Sequence, residues 1–177
     1  MFAVWFIFEN DDQKHLSQII KKLSMQYDAP VFLPHITAYG LVDTKLDALD
    51  KIVSNSIKGE KPFTVEKKSI SYSDDFWKTV FVEIHPNKEL VRINNRLTKS
   101  LDSFGKYEVK PHVSLIYKEM KPVQKKKLAE SLDVKNQFKI NGICIQQFSE
   151  DISKWAIVRQ YNLDESWLSK EKKIITT

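Results

Sequence analysis

A seven-residue pattern occurs twice in this chain, as Pro34-His35-Ile36-Thr37-Ala38-Tyr39-Gly40 and as Pro111-His112-Val113-Ser114-Leu115-Ile116-Tyr117. Each copy reads Pro-His-apolar-hydroxyl-apolar, and the histidines lie 77 positions apart. In an extended strand alternate side chains share a face, so His35 projects with Thr37 and His112 with Ser114. An imidazole gives or takes a proton near neutral pH, and a neighbouring hydroxyl can hydrogen-bond an oxyanion. Two such pairs facing one cleft make an acid–base device with two anion clamps, which suits a phosphate ester.

The surroundings of the motifs repeat as well. Residues 3–9 are apolar on both faces and read as a central strand. Asp11 or Asp12 then caps a helix carrying Leu16, Ile19, Ile20 and Leu23, and the His35 strand follows. Thr44-Lys45-Leu46-Asp47 resembles a capping box opening a helix with Leu49, Ile52, Val53 and Ile57, and residues 63–72 read as a strand.

The same order returns with a strand at 79–84, a helix capped by Asn87 and bearing Leu90, Ile93, Leu97 and Leu101, then Gly105 and the His112 strand. A short helix opens at Pro122 and carries Leu128 and Leu132, and a strand spans 138–148. Matching elements lie 75 to 77 residues apart. A strand at 154–161 has no counterpart.

Strand, helix, His-strand, helix, strand, twice over, predicts an α+β fold of two pseudo-symmetric lobes. Each lobe is an antiparallel-type sheet with helices on its outer face, and the active-site groove lies between them. The chain, residues 1–177, reads as one bilobal domain: repeat one covers about 1–72, repeat two about 78–148, and the extra strand is directed back to the first lobe. Ser73-Asp74-Asp75 is the expected joint.

Composition matters at three points. A 42% hydrophobic content with ten Phe, six Tyr and four Trp supports a substantial core. The single Cys144 excludes an intramolecular disulfide and fits a reducing compartment. The apolar opening meets Glu9, Asp11 and Asp12 at once, too short for a membrane span and poor as a signal peptide, so a cytoplasmic protein without membrane contact is expected. A monomer is the expected state. A net charge of +5 is compatible with an anionic ligand, although a run such as Lys125-Lys126-Lys127 is usually solvated surface.

Metal chemistry is disfavoured as a reading of the histidines: no HExxH, Cys cluster or carboxylate at ligand-like spacing accompanies either motif. No cofactor is expected. His15, on a polar helix face, and His85, before Pro86, are not recruited. Tyr39 shares the parity of His35 and Thr37 and is placed in the groove. Tyr117 has the opposite parity from His112 and reaches the site only if its strand ends or bulges after Ile116. Phe76, with Trp77, lies in the turn between repeats, where it can stack on a nucleobase or pack the joint.

These residues resemble the two-histidine (2H) phosphoesterase superfamily, whose hallmark is two His-x-Thr/Ser motifs on facing strands. Within it the chain is most similar to plant and yeast cyclic nucleotide phosphodiesterases. Besides the motifs, Val4-Trp5, Glu119 after the second motif, and Lys154-Trp155-Ala156-Ile157-Val158 through Asn162-Leu163 carry the likeness.

The resemblance implies metal-independent hydrolysis of ADP-ribose 1″,2″-cyclic phosphate to ADP-ribose 1″-phosphate, and of nucleoside 2′,3′-cyclic phosphates to 2′-phosphates. It implies catalytic His35 and His112, phosphate-holding Thr37 and Ser114, a Tyr117 near the phosphate, and a Trp5 on the site floor. Two alternatives stay open: a relative that processes RNA ends (2′,3′-cyclic phosphate termini or 2′-5′ linkages), and a non-catalytic nucleotide- or RNA-binding module. Against the second, a pure binder needs no pair of proton-transfer groups.

Overall fold

The computed structural model describes residues 1–104 and 107–163. Gly105 and the tail 165–177, where a short or frayed helix is expected, lie outside the described residues. Within them the order is β1 (Phe2–Phe8), α1 (Asn10–Tyr27), β2 (Ile36–Val42), α2 (Leu46–Ser56), β3 (Phe63–Tyr72), β4 (Val80–Ile84), α3 (Lys88–Leu101), β5 (His112–Ile116), α4 (Pro122–Ser131), β6 (Gln137–Gln147) and β7 (Ala156–Asn162). Short 3₁₀ turns occupy Phe76–Lys78, Asp102–Phe104 and Ile152–Lys154. No helix among the described residues is long and apolar enough to cross a membrane.

All strand pairings are antiparallel, in the order β2-β1-β6-β3-β4-β5 with β7 on β6. Two long strands carry the symmetry. Residues 63–66 of β3 pair with residues 137–140 of β6; beyond that crossing β3 runs along β4, and β6 runs along β1. The repeats have therefore exchanged their third strands. The passage from one half to the other lies inside β3, whereas Ser73-Asp74-Asp75 belongs to the hairpin loop between β3 and β4 and is not the joint. The two end strands of the series, β2 and β5, approach each other, and they carry the two motifs.

β1 divides the interior into two faces. Val4, Phe6 and Phe8 enter the main core with Leu16, Leu23, Leu49, Ile93 and Leu97 from the helices. Ala3, Trp5 and Ile7 form a second cluster with Cys144, covered by Trp155 and Ile157. Asn87 caps α3 through the Leu90 amide at 2.9 Å. The other expected caps differ. Asp12 is buried and accepts the Lys139 amide at 2.6 Å, tying α1 to β6, and α2 starts after Lys45 without a side-chain cap. Lys125, read as surface, is 3% exposed, while Lys126 and Lys127 are solvated.

Candidate active site

The strand registers set Trp5 opposite Thr37 and Phe81 opposite Ser114. Side chains opposed across an antiparallel pair share a face, so each motif hydroxyl has an aromatic ring beside it.

Both histidines are anchored alike. His35 Nδ1 lies 2.7 Å from the Leu33 carbonyl and His112 Nδ1 lies 2.7 Å from the Lys110 carbonyl, two residues upstream in each case. A carbonyl only accepts, so each Nδ1 holds a proton, and Nε2 is left as the nitrogen that exchanges protons. The Trp5 indole stacks on His35 with ring centroids 3.6 Å apart and planes 9° apart. His112 instead meets the edge of Phe81, at 5.5 Å and 74°.

Their electrostatics differ. Burial depresses the His35 pKa to about 3; the Leu33 bond opposes the shift and a charge on His112 adds to it. His112 is also depressed, chiefly by burial, with the Lys110 carbonyl opposing, Lys78 lowering and Asp75 raising it. The two rings are thus electrostatically coupled.

Around them the hydroxyls are bonded. Ser114 Oγ donates to the Trp77 carbonyl at 2.7 Å. β5 ends at Ile116, and Tyr117, just beyond it, brings its hydroxyl to Ser114 despite its odd offset; burial pushes the phenol pKa up. Tyr117 stacks on Phe32 at 3.9 Å and meets Phe76 at 6.0 Å and Trp77 at 5.3 Å. Trp155 lies 5.4 Å from Trp5 and 5.7 Å from Trp77. Its indole N–H donates to the Ser149 carbonyl at 2.7 Å. Phe76 and Trp77 are each 38% exposed, so this aromatic wall keeps ring surface open to a ligand.

Tyr39 is not in the groove. Trp5 pairs with Thr37 but Val4 pairs with Tyr39, so Ala38 is an extra residue that forms a bulge and turns Tyr39 onto the face of Val4. Its ring lies in the main core and its hydroxyl donates to the Leu101 carbonyl at 3.3 Å. Conversely, Phe32, Phe81, Tyr107 and Trp155 reach the site without having been read as site residues. Phe81 could have been found, since it stands in the second repeat where Trp5 stands in the first.

Among the described residues no three His, Cys, Asp or Glu side chains are grouped to hold a metal ion. His15 and His85 belong to neither motif strand.

The model of the cyclic phosphodiesterase-like protein family matches residues 1–157. A cyclic phosphodiesterase of Arabidopsis thaliana is 22% identical over 174 residues, spanning 93% of this chain and 96% of the relative. TT0787 of Thermus thermophilus superposes with a TM-score of 0.66 at 12% identity, over 92% of this chain and 97% of that one. Escherichia coli LigT, in its complex with 3′-AMP, gives 0.57 at 10% identity over 91% and 96%. The matched span contains both motifs and the aromatic wall around them, and the chain belongs to the cyclic phosphodiesterase-like family of two-histidine phosphoesterases, enzymes of cyclic phosphodiester hydrolysis.

Proposed function

We propose that this groove opens small cyclic phosphodiesters without a metal. ADP-ribose 1″,2″-cyclic phosphate would give ADP-ribose 1″-phosphate, and nucleoside 2′,3′-cyclic phosphates would give nucleoside 2′-phosphates. The observation that carries this reading is the matched pair of imidazoles, each with Nδ1–H spent on a backbone carbonyl and Nε2 left to move protons.

In the reaction, water attacks phosphorus in line with the departing ribose oxygen. The P–O bond to water forms as the P–O bond to the ribose breaks. One imidazole takes the water's proton while the other protonates the leaving oxygen, each contributing about 10²–10⁴-fold. We read the roles from the surroundings. His35, held neutral by burial against Trp5, is the base. His112 is less buried, and although burial lowers its pKa the Lys110 carbonyl and Asp75 favour its proton; it is the acid. Thr37 and Ser114 hold the non-bridging oxygens as charge grows on them. Phe76 and Trp77 offer ring surface to a base, and the binding of 3′-AMP by the LigT relative supports a ligand of nucleotide size.

The test is turnover of 2′,3′-cyclic AMP by protein dialysed against EDTA, with the product isomer read by phosphorus NMR. Unchanged turnover giving the 2′-phosphate is expected, with His35→Ala and His112→Ala each reduced by about 10²-fold or more. Activity that returns only with added divalent metal, or that survives either substitution, would overturn the reading.

A further inference from the structure

Thr37 and Ser114 hold equivalent places in the two motifs, but their hydroxyls have different anchors. A hydroxyl has one proton to donate, and that of Ser114 is given to the Trp77 carbonyl. Thr37 has a different partner, the hydroxyl of Tyr107, which comes from the segment leading into β5 and so from the opposite motif. The Tyr107 ring lies flat against β2 at Gly40. A Cβ at that glycine would sit 2.9 Å from Cδ2 and 3.0 Å from Cε2 of the ring, closer than side-chain carbons pack. The Tyr39 ring, turned by the bulge at Ala38, tilts against it at 5.3 Å. Tyr107 is therefore seated by a notch that only glycine leaves, by an aromatic neighbour and by a polar contact on a motif hydroxyl.

We infer that Tyr107 is a positioning residue: the notch at Gly40 and the Tyr39 ring hold its hydroxyl against Thr37, and this contact fixes the Thr37 side chain where Oγ1 meets a non-bridging oxygen of the bound phosphate. Burial raises the Tyr107 phenol to about 12, against a lowering by the Thr37 contact, so it stays neutral across the working pH range. Thr37 is thus held by a side chain from the opposite motif, whereas Ser114 is held by the Trp77 carbonyl. The inference rests on the reading that this groove binds the phosphate of a cyclic ester.

The test compares wild type, Tyr107→Phe, Thr37→Ala, the double variant and Gly40→Ala. For each, kcat and KM are measured on 2′,3′-cyclic AMP, inorganic phosphate binding by calorimetry, and thermal unfolding. Tyr107→Phe keeps the ring against Gly40, so its melt should match wild type. Its kcat and phosphate affinity should each fall about three- to tenfold, the worth of one hydrogen bond. In the Thr37→Ala background the same change should cost nothing further, because its target is gone. Gly40→Ala, which displaces the ring, should move kcat and phosphate affinity in the same direction.

Full additivity of Tyr107→Phe and Thr37→Ala, or unaltered phosphate binding in both Tyr107→Phe and Gly40→Ala, would overturn the inference while wild-type turnover kept the hydrolase reading. Phosphate binding that couples the two residues in a protein without turnover would do the reverse.

Discussion

His35 is buried and stacked on Trp5, whereas His112 is half-buried and has Asp75 and Lys78 within electrostatic reach. A general base works above its pKa and a general acid below its own. With both rings depressed from 6.5, the kcat/KM profile of the free enzyme should be a bell lying on the acid side of 6.5, its limbs belonging to the coupled pair. A bound phosphodiester anion favours imidazolium, so the kcat profile should sit at higher pH. Asp75→Asn tests the assignment of the acid. Asn can still cap the Trp77 amide, which Asp75 Oδ1 accepts at 2.9 Å, but the charge that raises His112 is gone, so the alkaline limb should move to lower pH. Lys78→Met should move it the other way, and an unmoved limb in both variants would take His112 out of the acid role.

The same burial has a stability consequence. Between about 3 and 6.5 the unfolded chain protonates His35 while the native one does not. Stability is therefore lost as pH falls through that window. His35→Asn should flatten this dependence between pH 6.5 and 4 in urea midpoints, and equal slopes would show that His35 is not the group responsible.

At the scale of elements, the hairpin loop between β3 and β4 supplies Asp75, the Trp77 carbonyl and the exposed Phe76, and a helix holds it in place. Lys125 of α4 donates to the Ser73 carbonyl at 2.7 Å and pairs with Asp74. Asp74 is exposed, so Lys125→Met leaves no buried charge behind. It should cost only about 1 kcal/mol for the lost carbonyl bond, but it should lower kcat/KM several-fold by loosening the loop beneath Ser114. A variant destabilised far more than this, yet fully active, would make Lys125 merely structural.

Lys125 marks a signal that the reading of its lysine run as solvated surface passes over. It stands three and four positions before Leu128 and Ala129, so helical spacing sets it on the buried stripe. The motif pairs were legible because strand parity is strict over the three residues from His35 to Thr37. Two residues further it fails at Tyr39, because a bulge depends on how β1 and β2 pair and leaves no local composition signal. Tyr107 was hidden for a similar reason: its segment has no periodicity, and its contacts at Gly40 and Thr37 are made only when β2 and the approach to β5 come together.

For the whole molecule, the 77-residue spacing disclosed the duplication but not the exchange of strands between its halves. β6 of the second repeat lies between β1 and β3 of the first, and β3 of the first lies between β6 and β4 of the second. Residues 1–72 alone would lose the partner that covers Phe2–Phe8 along its length, and residues 78–177 alone would lose the strand joining β6 to β4. Ile140, Ile143 and Ile145 of β6 are fully buried against the first repeat's core, so either fragment would expose a row of unpaired backbone and a large apolar surface at once. Two self-sufficient lobes would each melt cooperatively when separated. Exchanged strands predict the contrary: neither fragment should show a cooperative thermal transition or dispersed NMR signals, while mixing the two should restore both. A sharp melt of residues 1–72 alone would mean that the first repeat folds without β6, and the exchange would then be an ornament of the topology rather than the interaction that holds the two motif strands together.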